Sequence, residues 1–214
     1  MEEWIPSIGL QKRNLQVAKG ETLFNEDNPV IGMFFVYHGT FKVHKKWGNS
    51  KELILRFAKG GDIVGHRGLG NDLRYPITAT ALEAGVVCFV PLDFFNATLK
   101  VNSSFALSLL SFFAEELAVS EQKMRNLAHM SVKGRIALAL ITLQKKFGVA
   151  ENGSLGIQLS RQDFASYVGA TYETTFRMLT AMAEENMIRF QLKEIQLMDE
   201  LKLIHCYESE VEER

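Results

Sequence analysis

The sequence predicts an α+β chain in three parts: an N-terminal β-roll, a long helix, and a C-terminal winged helix-turn-helix. Three observations carry this prediction. Short strand-like segments broken by turn residues fill Leu15 to about Phe95. A heptad-spaced helical stretch begins near Asn102. A capped pair of helices, meeting at Gly169, opens at Ser160. The expected parts are residues 1–101, 102–131 and 132–214.

Between Leu15 and Phe95, turn residues recur at Gly20, Asp27–Pro29, Gly39, Gly48–Asn49, Gly60–Gly61, Gly65 and Gly68–Pro76. The segments between them, such as MFFVYHG, LILRF and VVCFVP, are rich in β-branched and aromatic residues. TFKVHK alternates apolar and polar, as a half-buried strand does. WGNSKE reads as a hairpin turn. Short strands at this spacing form a sandwich or roll rather than a parallel sheet.

From Asn102 the period becomes helical. Leu110, Phe113, Leu117, Ser120, Met124, Leu127 and Ser131 follow alternating steps of three and four. That is a seam of roughly three heptads, long enough for a dimer coiled coil. The alternative is one helix packed on its own domain. No Pro or Gly interrupts Asn102 to Val132. Leu110, Phe113, Leu117, Met124 and Leu127 are the expected dimer contacts. Ser120 and Glu121 put polar groups into the seam, where they could set register or meet a ligand.

Val132 to Phe147 predicts a second helix, stopped at Gly148. GIQLS reads as a short strand. Ser160, with Asp163 three residues on, resembles a capping box. The helix SRQDFASYV has Phe164, Tyr167 and Val168 on its apolar face. Gly169 permits a sharp turn, and Thr171 can cap the next helix. That helix has Thr175, Met178, Leu179 and Met182 inside, with Tyr172, Glu173 and Arg177 outside. Such a second helix presents its first turns to a major groove, where Arg bonds guanine and Glu accepts from cytosine. Glu173 and Arg177 could equally form an i,i+4 salt bridge. MIRFQLKEIQLMD reads as a β-hairpin wing.

Composition sets the bounds. The 214 residues are 47% hydrophobic and 23% charged, ordinary for a globular protein. The net charge is −1, which argues mildly against nucleic-acid binding. Lys123, Arg125, Lys133, Arg135, Lys145 and Lys146 cluster, however, either as a basic face or as solvated charges. The start, MEEWIPSIGLQ, lacks the regions of a signal peptide, and no run of about 18 apolar residues is evident. A cytoplasmic protein without membrane partners is expected. Cys88 and Cys206 lie far apart and form no metal-ligand spacing; Cys88 reads as a buried strand residue.

The order of parts resembles the Crp/Fnr family across nearly the whole chain. LSRQDFASYVGATYETTFRMLTAMAEENMI is similar to that family's DNA-binding signature. GDIVGHRGL resembles the segment where its sensor domain holds an effector, and HGTFKVHKKWGNSKELILRFAKGGDIVG the preceding strands. MRNLAHMSVKGRIALAL resembles the end of the dimer helix and the hinge, here near Ser131–Val132. The resemblance implies a cupin-like, double-stranded β-helix followed by a winged helix-turn-helix. It implies a homodimeric, sequence-specific transcription regulator that binds double-stranded DNA at an inverted repeat, with RNA polymerase as a further partner. Arg161, Thr171 and Thr174 sit where relatives touch phosphates or the DNA edge. Glu173 and Arg177 sit where they read bases. Tyr172 departs from the pattern, since many relatives have Arg there.

The same resemblance implies an effector pocket of Gly65, His66, Arg67, Arg74, Tyr75, Ser120 and Glu121. In the cyclic-AMP branch a Glu follows the second Gly of the loop and grips the ribose; here it is His66. An Arg-Ser or Arg-Thr pair grips the cyclic phosphate; allowing a one-residue deletion, Tyr75 and Pro76 fall there. Ser120 and Glu121 fall where the dimer helices would reach the base. The expected effector is therefore unidentified or absent, and not cyclic AMP. The alternative is a cyclic-nucleotide regulator with an atypical pocket. The cysteine cluster of the iron–sulfur branch is lacking, so no such cluster is expected. A haem branch through His66 or His38 stays open.

Two other functions compete. A cyclic-nucleotide module acting through protein contacts is opposed by the helix-turn-helix. An enzyme on a β-roll would use ligand-spaced histidines, and the five present show no such spacing. No nucleophile elbow, P-loop or paired carboxylate motif occurs. No enzyme activity and no metal site are expected.

Overall fold

The computed structural model describes residues 11–48, 51–191 and 194–212. The first ten residues, read above for targeting, and the tip of the WGNSKE turn at Asn49–Ser50 lie outside the described residues. The chain divides into two compact units, 1–117 and 118–214, with the boundary inside the long helix.

The first unit is built from two antiparallel four-stranded sheets. One has the order β1 (Arg13–Val17), β8 (Gly85–Pro91), β3 (Gly32–His38), β6 (Ile63–Val64). The other has β2 (Thr22–Phe24), β7 (Thr78–Ala81), β4 (Phe41–Trp47), β5 (Lys51–Ala58). The β-branched and aromatic segments form these strands because alternate side chains enter one shared core. Met33, Phe34, Phe41, Val43, Ala79 and Val87 are all buried there. Each such side chain contributes about 1.5–3 kcal/mol by leaving water. Cys88 lies in β8 as expected but is only half-buried.

The β4–β5 pairing shifts register between Val43 and His44, which turns His44 inward. His44 is 3% exposed. Its Nδ1 lies 2.7 Å from Glu52 Oε2 and its Nε2 is 3.0 Å from Thr80 Oγ1. The Lys42 ammonium donates to the other oxygen of Glu52.

Two helices follow the roll. The strand-like pattern was expected to reach Phe95, but α1 (Leu92–Val101) begins directly after β8. Leu92, Phe95 and Leu99 pack against the roll at helical spacing, and the apolar run before Pro91 masks that change of period. Then α2 spans Ser103–His129, with Asn102 Oδ1 accepting from Phe105 N at 3.0 Å as its start. Phe105 and Leu109 pack on the roll. Leu107, Leu110, Leu117 and Met124 are 59–66% exposed. By length and composition α2 is apolar enough to cross a membrane, which the reading of no sufficiently long apolar run missed. Glu116, midway along it, is ion-paired to the roll, which is a poor arrangement for lipid.

The second unit contains α3 (Val132–Phe147), α4 (Arg161–Val168), α5 (Tyr172–Glu184), the hairpin β9 (Ile188–Gln191) and β10 (Glu194–Leu197), and α6 (Glu200–Glu212). Ile136, Leu140, Phe164, Leu179, Met182 and Leu203 are buried in it. GIQLS forms no strand. Just before it, Leu155 makes an isolated bridge to Val149 and donates to the Ile195 carbonyl of the wing at 2.8 Å, and Gly156 N donates to the Gly148 carbonyl at 3.0 Å. The sequence reading assigned no element after the wing, where α6 forms. Asp199 caps α6 by accepting from Lys202 N at 3.0 Å. Near its other end, Glu210 accepts from Ser131 N at 2.7 Å and from Ser131 Oγ at 2.6 Å.

Glu52 supplies a pH test of the roll. The His44 contact and the Lys42 ammonium hold its carboxyl down to about 2, against the opposing effect of burial. A depressed carboxyl stabilises the fold above its ordinary pKa of 4.5 and loses that contribution as pH falls toward 2. Glu52→Gln is expected to lower stability at pH 7 by about 1–2 kcal/mol, after allowance for solvent screening. The variant's loss relative to the parent should shrink between pH 4.5 and 2, measured by denaturant melts across that range. A gap that does not change with pH would refute the charge-based account.

Candidate nucleic-acid interface and sensor segment

The helix pair α4–α5 is set by its caps. Ser160 Oγ accepts from Asp163 N at 3.0 Å, the N-cap half of the capping box the sequence suggested, and donates to the Asp163 carboxylate. Gly169 ends α4 at φ 74°, in the left-handed region that favours glycine, and its N–H bonds the Ala165 carbonyl. Thr171 Oγ1 then accepts from Thr174 N at 3.2 Å and starts α5. Thr175, Leu179 and Met182 of α5 are buried, while Met178 is half-buried. Tyr172, Glu173 and Arg177 are exposed on the opposite side, and Thr174 is half-buried. No ion pair joins Glu173 to Arg177 among the described residues, so the i,i+4 alternative does not occupy these groups.

Arg161 opens α4 and stacks between two rings. Its guanidinium lies 5.0 Å from the Phe176 centroid and 4.9 Å from that of Phe190 on the wing. Tyr172 lies parallel to Phe176 with centroids 6.2 Å apart. An aromatic row thus ties the exposed face of α5 to the wing and orients Arg161. Sequence reasoning missed Phe176, because it fits neither the buried nor the polar set of α5.

Three of the six residues of the expected basic cluster are spent inside the unit. Arg135 donates to the carbonyls of Val168 at 3.0 Å, Met130 at 2.7 Å and Gly169 at 3.4 Å. It places a cation at the C-terminal ends of α4 and α2, where carbonyls lack partners. Lys133 pairs with Glu185 at 2.7 Å, and Lys123 lies 4.3 Å above the Tyr167 ring. These contacts fasten the hinge around Ser131, the N-cap of α3.

In the roll, Gly65 leads into one turn of 3-10 helix, His66–Gly68. His66 is 1% exposed, with its ring edge-on to Phe112 at 4.9 Å and Phe113 at 5.6 Å. Arg67 Nη2 donates to Glu116 Oε2 at 3.1 Å. His66 Nε2 is 3.5 Å and Arg56 Nε 3.6 Å from the same oxygen. Burial lowers the His66 pKa, and the Glu116 contact opposes that. The Glu116 carboxyl is held at about 2 by His66 and the two guanidiniums, against burial. Sequence reasoning missed Arg56 and Glu116; their signals were a charge inside the strand LILRF and another inside the apolar run FFAEEL.

Tyr75 requires a correction. It was expected in the effector segment, but its ring is 1% exposed and stacks on Phe24 with centroids 3.9 Å apart. Its hydroxyl donates to the Gly32 carbonyl at 2.7 Å, so both ring and hydroxyl serve the core. Arg74 donates to the Asp27 carbonyl at 2.6 Å and is not part of the Glu116 cluster. Ser120 is half-buried and Glu121 exposed, both on α2 beyond the boundary between the units. Among the described residues, no group of three or more His, Cys, Asp or Glu could hold a metal. His38, the other histidine considered, is exposed at the end of β3.

Comparison with known proteins agrees with this architecture. Residues 14–102 match the cyclic nucleotide-binding domain, and residues 134–206 match the Crp-like helix-turn-helix domain. The transcriptional activator protein FnrA of Stutzerimonas stutzeri is 27% identical over 195 residues, covering 90% of this chain and 79% of FnrA. The cAMP-activated global transcriptional regulator CRP of Salmonella typhimurium is 29% identical over 172 residues, covering 78% and 80%. The structure of FixK2 from Bradyrhizobium japonicum shares the fold, with a TM-score of 0.81 at 23% identity over 91% of this chain and 96% of that one. These relatives are regulators and not enzymes. With a cyclic nucleotide-binding fold in front of a Crp-like helix-turn-helix, the chain belongs to the Crp/Fnr family of transcription regulators.

Proposed function

We propose that the protein acts as a homodimer that binds an inverted repeat in double-stranded DNA, reading bases with Glu173 and Arg177. The observation that carries this reading is the outer face of α5. Tyr172, Glu173 and Arg177 project from its first turns, while caps and core fix the helix from behind. Thr171, Thr174 and Arg161 lie beside them and supply hydroxyl and guanidinium donors for phosphates. The dimer is supported by the exposed heptad positions of α2, which a second copy of the seam would cover. Leu110, Phe113, Leu117, Met124 and Leu127 form its contacts. Residues 1–101 act as sensor, 102–131 as dimer helix and hinge, and 132–214 as the DNA-binding part. Such a regulator works in the cytoplasm and contacts RNA polymerase.

The effector in this reading is not cyclic AMP. A cyclic phosphate must be desolvated, so its site needs fixed charge and donors. Tyr75 turns into the core, Pro76 has no N–H, and His66 stands in place of a ribose-binding carboxylate.

Four outcomes are expected. Two recognition helices related by a two-fold axis meet major grooves about 34 Å apart, so specific binding requires an inverted repeat. Arg177→Ala should cost about 1–3 kcal/mol of operator affinity and relax base preference; unchanged affinity and preference in a titration at fixed salt would refute its role. Leu117→Arg should bury a charge against its symmetry copy and leave a monomer that no longer binds the operator. A variant that still sediments as a dimer removes the seam assignment. Isothermal titration with cyclic AMP should show no micromolar binding; such binding, with a rise in operator affinity, would return the protein to the cyclic-AMP branch.

A further inference from the structure

We propose that Arg56, Arg67 and His66 form a binding site for a small molecule bearing a carboxylate or phosphate, a place held in this structure by Glu116. The proposal rests on the reading of the β-roll as the sensor and names its ligand chemistry.

One carboxylate oxygen faces three nitrogen groups. Glu116 Oε2 lies 3.1 Å from Arg67 Nη2, 3.5 Å from His66 Nε2 and 3.6 Å from Arg56 Nε. Only the Arg67 contact is a hydrogen bond. Arg56 Nε and both ring nitrogens of His66 are buried without a hydrogen-bond partner. Buried polar groups are ordinarily paired, so this concentration of unpaired nitrogens is unusual. A cluster serving stability alone would satisfy them.

Two guanidiniums meet one carboxylate. Asp62, from the turn between β5 and β6, acts on Arg56 as a further negative charge. The far end of the Arg56 guanidinium donates to the Ile63 carbonyl, which fixes its orientation. The Phe112 and Phe113 rings wall the His66 side. A lower local dielectric strengthens the attraction of these cations for an anion. A free oxyanion brings two or three oxygens and can place a separate acceptor on each nitrogen, including a paired contact with a guanidinium. Glu116 is tethered to α2 and brings only one oxygen within reach. Ligand entry therefore exchanges a tethered anion for a free one and releases Glu116, so site occupancy is communicated to α2.

Complementation of Glu116→Ala by free anions tests this without DNA, so its failure leaves the operator-binding reading standing. The probes are sodium acetate and sodium phosphate at pH 7, with ionic strength matched by sodium chloride. At ten times its Kd, either anion should raise the variant's melting midpoint by about 3 °C over the chloride control. The acetate and phosphate arms separate a carboxylate ligand from a phosphate ligand. Adding Arg67→Gln should abolish the rise. In the unaltered protein, the His66 imidazole NMR signals should shift saturably with whichever anion is effective, a readout that holds even where the variant folds poorly. Identical melting in all three salts, or a rise that survives Arg67→Gln, would overturn the proposal. His66 signals that neither anion moves would do the same.

Discussion

Helix α2 runs for 27 residues and fully buries a single side chain, Asn126. An amphipathic helix is held by the apolar face it buries, since propensity alone is marginal. The first half of α2 gains that hold from Phe105, Leu109 and the Glu116 ion pairs. Its exposed leucines have no cover among the described residues. The proposed dimer follows from this constraint, because a second seam removes the same apolar surface from water that a core would.

The DNA-facing half of the molecule is rigid for a different reason. Each helix start and stop there is satisfied locally, by Ser160 with Asp163, by Gly169, and by Thr171. Arg135 closes the remaining carbonyls at the hinge, and Glu210 accepts from Ser131. Cations that might have formed a basic face are thereby used for internal fastening. That reconciles a net charge of −1 with DNA binding, because the groups left outward on α5 are few and placed at its first turns.

The β-roll shows the same economy of polar groups. Tyr75 fills the core where a pocket-facing group was expected, and its hydroxyl satisfies the Gly32 backbone. The charge in this region instead gathers around Glu116, contributed by β5, the turn after β6, and α2. These residues are distant in sequence, and only the closed roll brings them together.

The sequence alone determined the features governed by local chemistry. Helix caps act within three or four residues, so Ser160–Asp163, Gly148, Gly169 and Thr171 were legible, as were the bounds of α3 and the wing. Strand alternation was legible because period reports which face is buried, and the helix α2 because its helical period runs without a Pro or Gly. Tertiary structure decided what depends on distant partners. GIQLS looked like a strand, but its Gly156 N–H bonds the Gly148 carbonyl at the end of α3, and only the preceding Leu155 reaches the wing. The helix α6 went unread, since what holds it is the burial of Leu203 in the second unit. Tyr75 read as a pocket residue because the resemblance set it where relatives grip a cyclic phosphate, while its neighbours in space are Phe24 and Gly32. Arg56 and Glu116 carried no motif, since an ion pair between residues this far apart has no spacing to read and exists only once the strands and α2 have packed.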